Sequence, residues 1–213
     1  MFYIISIGPG NPELITVQAI NTLEKCDIVF VPVRTKELSW VGSIAYKILS
    51  NIKINMQAKL HPLYTPMNYS SEAWNKQVEV IAEACKNNNR VGYVTMGDAA
   101  VYSSAYYLLN IIKEKYSSIY AETEVIPGIT SFSYASAKVK KPLCLGDSGL
   151  EIVPMHGNET KPTKVYMRLH KGDEIKDNIY YFRNLGLEGE VFGRGTPGII
   201  EKYLTLLIDF QEE

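Results

Sequence analysis

Short apolar runs and amphipathic stretches take turns along the first half of the chain. Residues 2–7 form an apolar run with no helical period and close on Gly8-Pro9-Gly10-Asn11-Pro12, which predicts a buried strand ending in a loop. Thr16 is placed to cap a helix with Val17, Ile20 and Leu23 on one face, and 27–33 returns to strand composition. In 71–85, Trp74, Val78, Ile81, Ala82 and Cys85 recur at helical spacing, and Asn87-Asn88-Asn89 ends that helix. Residues 90–95 (RVGYVT) predict the next strand and Gly97-Asp98 the next loop. A helix over 101–113 follows, apolar nearly all round and therefore expected to be buried.

The alternation weakens at 119–123. Residues 124–126 then lead into Pro127-Gly128, and either Thr130 or Ser131 is placed to cap a helix that buries Phe132, Ala135 and Val139. A domain boundary is expected here, dividing 1–122 from 123–213. Strand-like runs follow at 150–154, 165–169, 190–192 and 203–208, with one helix expected around 174–185. The pattern predicts an α/β protein of two α/β domains with a cleft between them.

Composition narrows the picture. With 46% hydrophobic residues in 213, a core can be filled, which excludes disordered and fibrous classes. Lysine plus arginine (22) nearly balances aspartate plus glutamate (23), so no global field favours nucleic acid or an anionic membrane as partner. The three cysteines, Cys26, Cys85 and Cys144, are far apart and odd in number, which suits reduced thiols. No CxxC, HExxH or histidine/aspartate cluster is present, so no metal site is expected. No apolar run approaches the ~18 residues of a membrane span, and the start lacks a basic region, so a cytoplasmic protein is expected.

Three glycine-containing loops each follow a predicted strand: Gly8-Pro9-Gly10, Met96-Gly97-Asp98 and Pro127-Gly128-Ile129-Thr130. In an open α/β sheet the carboxyl ends of the strands form one rim where ligands bind, so these loops can converge on one ligand. Glycine lets backbone approach a ligand closely and proline pre-orders the loop, both of which suit a nucleoside. Any one loop alone is equally an ordinary strand-to-helix turn. A dinucleotide site fits less well, because GPGNPEL lacks the third glycine of GxGxxG and its prolines remove amide donors.

With GPGNPELIT after the first strand, GDAAVYSS after the middle strand and VIPGITSFSYA beyond, the chain resembles the tetrapyrrole (corrin/porphyrin) methylase family from Tyr3 to about Ile208. Tracts 27–46 and 142–154 resemble most the branch that methylates carbon 20 of precorrin-2 or cobalt-factor II. The resemblance implies the tetrapyrrole methylase fold, with S-adenosyl-L-methionine in a cleft between two α/β domains, and a homodimer. By motif it places the cofactor at Met96, Gly97, Asp98, Val101 and Tyr102, with Pro9, Thr130 and Ser131 beside them and Met167 and Gly195 from the second half. Ala99 departs from the proline common in the family, a change expected to loosen that turn but to leave Gly97-Asp98 intact and so to be tolerated. The C-terminal part also looks abbreviated, with consequences for closure over the substrate.

Methyl transfer from a sulfonium needs alignment more than a nucleophile, and no nucleophilic triad is present. A ring carbon must lose a proton afterwards, for which Asp98, Tyr102 and Asp147 are candidates. Tetrapyrrole carboxylates call for cations: Arg34, Lys138 and Lys141, with Lys140, Arg168 and Lys171 behind them. Tyr102, Tyr106 and Tyr107 are placed to line a cleft from one helix face, and Tyr64 and Tyr69 to form a lid in the 61–70 loop. The alternatives carried forward are the same fold acting at another ring position, on RNA or on a diphthine precursor, and a binding module without turnover.

Overall fold

The computed structural model describes residues 1–52, 59–66, 70–153, 163–167, 169–185, 187–201 and 204–210. Five parallel strands, β1 (Phe2–Ser6), β2 (Ile28–Val33), β3 (Leu60–Tyr64), β4 (Val91–Thr95) and β5 (Thr123–Ile126), make one sheet in the order β3-β2-β4-β1-β5. Because β1 and β4 are interior strands, every one of their residues is buried. Such strands read as continuous apolar runs rather than as alternation.

Helices cover both faces. On one, α1 (Val17–Lys25) and α2 (Ile44–Ser50) set Ala19, Leu23, Ile48 and Leu49 against Tyr3, Ile5, Val29, Val31 and Val94. On the other, α3 (Ser71–Asn87) and α4 (Ala105–Lys115) set Val78, Ile81, Leu108 and Ile112 against Phe2, Ile4, Phe30 and Tyr93. Odd and even residues of β1 thus serve opposite cores, as strand geometry requires. Trp74 of α3 stacks on Tyr107 of α4, with ring centroids 4.3 Å apart. A short helix α5 (Ser117–Ala121) then leads into β5.

Local signals explain the ends. The Thr16 hydroxyl accepts the Ala19 N–H at 3.1 Å, as an N-cap should. Val17 is 76% exposed, however, so of the expected face Leu23 is buried and Ile20 packs against the core, with Ala19 and Thr22 buried beside them. Residues 101–104 stay outside α4, and Tyr106 and Tyr107 are partly exposed, so that helix is shorter and less enclosed than its composition implies. Tyr64 ends β3, paired with Val33, and is not part of a lid; Tyr69 lies outside the described residues.

Helix α6 (Ser131–Val139) forms as expected and Thr130 is its cap, accepting the Ser133 N–H at 3.3 Å. None of its residues is buried, so Phe132, Ala135 and Val139 do not make a core face among the described residues. Contacts divide the chain into two units, Met1–Leu150 and Glu151–Glu213. The first unit runs past the boundary expected after 122 because β5 is hydrogen-bonded to β1 and completes the first sheet.

The second unit, among its described residues, is built of strands. An antiparallel sheet of β6 (Lys164–Tyr166), β8 (Ile179–Arg183), β9 (Val191–Gly195) and β11 (Thr205–Asp209) runs in the order β6-β11-β8-β9. Beside it β7 (Glu174–Ile175) pairs with β10 (Gly198–Ile199), over a small core of Leu169, Ile200 and Leu207. The helix expected around 174–185 is therefore strand. Ile179 and Tyr181 pack on that core, while Tyr180 meets Phe210 and Phe182 meets Phe192, a period of two that suits aromatic and β-branched residues. Residues 150–153 form no strand, against expectation. No helix of the described residues is long and apolar enough to cross a membrane.

Two measurements check this arrangement. Burial pushes the Cys26 and Cys85 thiols up to about 11, whereas Cys144 is exposed, so at pH 8 one thiol of the native protein reacts rapidly with a disulfide reagent and all three react in denaturant. Rapid reaction of a second native thiol would contradict the burial. Thr16→Ala lowers stability in urea by about 1 kcal/mol through loss of the cap, and an unchanged midpoint would show that the cap is idle.

Candidate functional site

A parallel sheet delivers all its strand ends to one rim. Arg34 follows β2 there, and the loops after β4, β1 and β5, which are neighbours on one side of the sheet, meet. Beyond the paired strands the backbone keeps pairing: the Gly97 N–H donates to Gly8 O at 2.8 Å and the Gly8 N–H to Gly97 O at 3.2 Å. Both glycines are left-handed, with φ of 70° at Gly8 and 67° at Gly97, a region that disfavours other residues.

The third loop is tied in by Asp98. One carboxylate oxygen accepts the Gly128 N–H and the other the Ala100 N–H, each at 2.7 Å. Close approach makes glycine obligatory at 128, since a Cβ there would lie 2.4 Å from Gly97 O and 2.5 Å from Ser6 Cβ. Beneath the loop the Ala99 N–H donates to the buried Ser6 Oγ at 2.9 Å, and the Thr95 and Ser103 hydroxyls meet at 2.8 Å. Ala99 brings an N–H that proline lacks and places it on a buried acceptor, while Gly97 and Asp98 keep their contacts.

Several expected residues come together on this rim. Pro9, Met96, Gly97, Asp98, Val101 and Tyr102 belong to the bridged loops, and Thr130 and Ser131 start α6 directly after the Gly128 loop. Tyr102 is held at φ 49° with its ring 68% exposed, a strained setting for an aromatic residue and the kind of outlier that gathers at ligand sites. It lies before α4, not on it. Tyr107 stacks on Trp74 and so belongs to the helix interface. Tyr106 is nearer the rim: burial first, then the Asp98 carboxylate and Tyr120, hold its phenol above the usual range.

Others are placed elsewhere. Lys138 and Lys141 stand at the far end of α6, about 13 Å along the helix from Thr130, with the Lys138 ammonium 5.0 Å from the Tyr134 ring. Lys140 takes the left-handed turn that ends α6, and Asp147 lies in the exposed 140–150 segment. In the second unit Met167 lines an open cleft of about 600 Å³ with Leu169, Ile175, Leu207 and Asp173, and Gly195 pairs with Ile179 at its edge. Arg168 lies outside the described residues. Ser6, Thr95 and Ser103 were missed by sequence reasoning. A hydroxyl at the inward end of the Phe2, Ile4, Ser6 face was the available signal for the first.

The arrangement offers an open, glycine-lined backbone surface with a strained exposed aromatic beside it.

Comparison with known proteins places this geometry. The chain is 30% identical over 154 residues to a probable cobalt-precorrin-2 C(20)-methyltransferase of Methanocaldococcus jannaschii, covering 71% of this chain and 63% of that protein. It is 29% identical over 155 residues to the cobalt-precorrin-2 C(20)-methyltransferase of Salmonella typhimurium, covering 71% and 62%. The aligned part thus spans less than two thirds of either relative. A deacetylating precorrin-6A synthase of Sinorhizobium is 27% identical over 211 residues, covering 88% of this chain and 80% of that protein. In fold, the chain resembles a putative cobalamin synthesis related protein, CobF, of Corynebacterium diphtheriae, with a TM-score of 0.54 at 17% identity over 98% of this chain and 97% of that one. It also resembles the cobalt precorrin-4 methyltransferase CbiF, with a TM-score of 0.51 at 18% identity over 97% and 93%. The model of the Tetrapyrrole (Corrin/Porphyrin) Methylases matches residues 1–196, and the chain belongs to that family.

Proposed function

We propose that the protein transfers a methyl group from S-adenosyl-L-methionine to carbon 20 of precorrin-2 or cobalt-factor II, in the cytoplasm and as a homodimer. The observation that carries this reading is the bridged rim, on which Gly97 and Gly10 turn their missing side chains into open space, with nothing within 4 Å of an added Cβ. A nucleoside needs that kind of approach to backbone, so the residues present fit the cofactor. Carbon 20 is supported by the names of the two relatives from Methanocaldococcus and Salmonella.

When bound, S-adenosyl-L-methionine would supply a methyl group activated by its positively charged sulfur, for transfer to a ring carbon that must afterwards lose a proton. The chain's part is to align and to exclude. Met96, Gly97, Val101 and Tyr102, with Pro9, Thr130 and Ser131, would hold the donor. Backbone carbonyls of the 96–98 loop orient the methyl group without gripping the positive charge, which would favour the ground state. Asp98, with both oxygens on backbone amides, holds the loop, which leaves Tyr102 and Asp147 as candidates for the proton. Arg34, on the rim beside the loop after β4, is the first candidate for an acceptor carboxylate, with Lys138 and Lys141 more remote.

A second reading keeps the donor and changes the ring position. It is favoured by the longer alignment with the precorrin-6A synthase.

The deciding experiment is an anaerobic incubation with S-adenosyl-L-methionine and, separately, precorrin-2 and cobalt-factor II, followed by mass spectrometry and NMR of the product. One methyl group on carbon 20 of either acceptor is expected. Transfer to a later, more methylated ring with none to these two would move the activity to the second reading. Asp98→Ala frees the Gly128 and Ala100 amides and weakens cofactor binding in calorimetry about tenfold, or roughly 1–2 kcal/mol, in a protein with unchanged circular dichroism. Native affinity in a folded variant would remove Asp98 from the site.

A further inference from the structure

Ser6 is the last residue of β1 and fully buried. Its face of the strand is shared with Phe2 and Ile4, which pack in the apolar core beneath α3 and α4, so a hydroxyl here must be partnered. It accepts the N–H of Ala99, itself 1% exposed, at 2.9 Å. Its Cβ is also the surface on which Gly128 rests, since a side chain there would come within 2.5 Å of it. One side chain therefore touches both loops that Asp98 ties together.

Position 99 explains why a hydroxyl is needed. A proline there would fix φ near −65° and carry no N–H, so the loop would be stiff and have no donor to satisfy. Alanine leaves φ free and brings a donor into a buried place, where an unpaired N–H is costly. The Ser6 hydroxyl answers both needs with one bond.

We propose, on the reading of this rim as the cofactor site, that Ser6 is a positioning residue. Its hydroxyl holds the 97–102 loop in the conformation that binds S-adenosyl-L-methionine, and Ser6 and Ala99 work as a coupled pair. The coupling has a sign. Ser6→Ala orphans the Ala99 N–H, whereas Ser6→Ala with Ala99→Pro removes donor and acceptor together, which is far less disruptive than losing one partner.

The test is cofactor calorimetry, steady-state kinetics and amide hydrogen exchange on the native protein, Ser6→Ala, Ala99→Pro and the double variant. Ser6→Ala is expected to raise the cofactor Kd and KM about tenfold with kcat within about twofold, and to speed exchange of the 97–102 amides about tenfold or more. The double variant returns to within about threefold of native affinity. Native affinity and exchange in Ser6→Ala, or effects of the two substitutions that simply add, overturn the pairing. Should Ser6→Ala fail to fold, the double variant decides: folded with near-native affinity it supports the pair, and unfolded or non-binding it overturns it. Should the native protein not bind S-adenosyl-L-methionine, the cofactor reading falls by itself. The exchange of the 97–102 amides and the thermal midpoints then decide the pairing, with coupled effects supporting it and additive effects overturning it.

Discussion

The reciprocal backbone pair between Gly8 and Gly97 is the constraint on which the rim depends. Parallel strands ordinarily part company where they end, and the chains leave toward helices on either face of the sheet. Here β1 and β4 stay joined past their last paired residues, Ser6 and Thr95, through Ile7 N–H to Thr95 O at 2.9 Å and then the glycine pair. Left-handed backbone at both glycines lets the two chains turn toward each other. At Gly8 a Cβ would also sit 2.8 Å from Leu14 O, so the turn that begins the path to α1 leaves no room for a side chain.

From that pair the remaining contacts follow as satisfaction of stranded donors. When a strand ends, its backbone groups lose their ladder partners and must find others or meet water. Gly128 N–H finds Asp98, Ala99 N–H finds Ser6, and Ala100 N–H finds the other Asp98 oxygen. The polar side chains at the sheet centre are there for the backbone. They also hold the loops close enough together that one ligand can touch more than one of them.

How much of this was legible depends on element length and on burial. The strands β1, β2 and β4 were readable because interior parallel strands are unbroken apolar runs, and α3 because its long face repeats at helical spacing. Helix α2 and strand β3 were not read: seven and five residues are too few for periodicity, and β3 carries His61 and Pro62. The 174–185 segment was read as helix because apolar residues there are dense enough to fit either period, and only the partner strand decides. Motif spacing found the glycine loops that form the rim. It did not find Ser6, whose importance lies in a bond to a residue 93 positions away, nor did it show that α6 carries Lys138 and Lys141 away from Thr130.

The make-up of the rim bears on what can set the acceptor. Most of its contacts are backbone to backbone or side chain to backbone, and backbone amides are the same whatever ring is brought to them. On the proposed reading such a surface suits a donor common to many reactions and is poorly suited to discriminate between acceptors that differ in ring position. Discrimination needs side chains whose charge and reach differ, because a wrongly placed carboxylate is rejected only when it meets no cation or leaves one unpaired. With positive and negative charge nearly equal overall, no general field can make that selection, and on the proposed reading it falls to single cations such as Arg34, the exposed residue directly after β2.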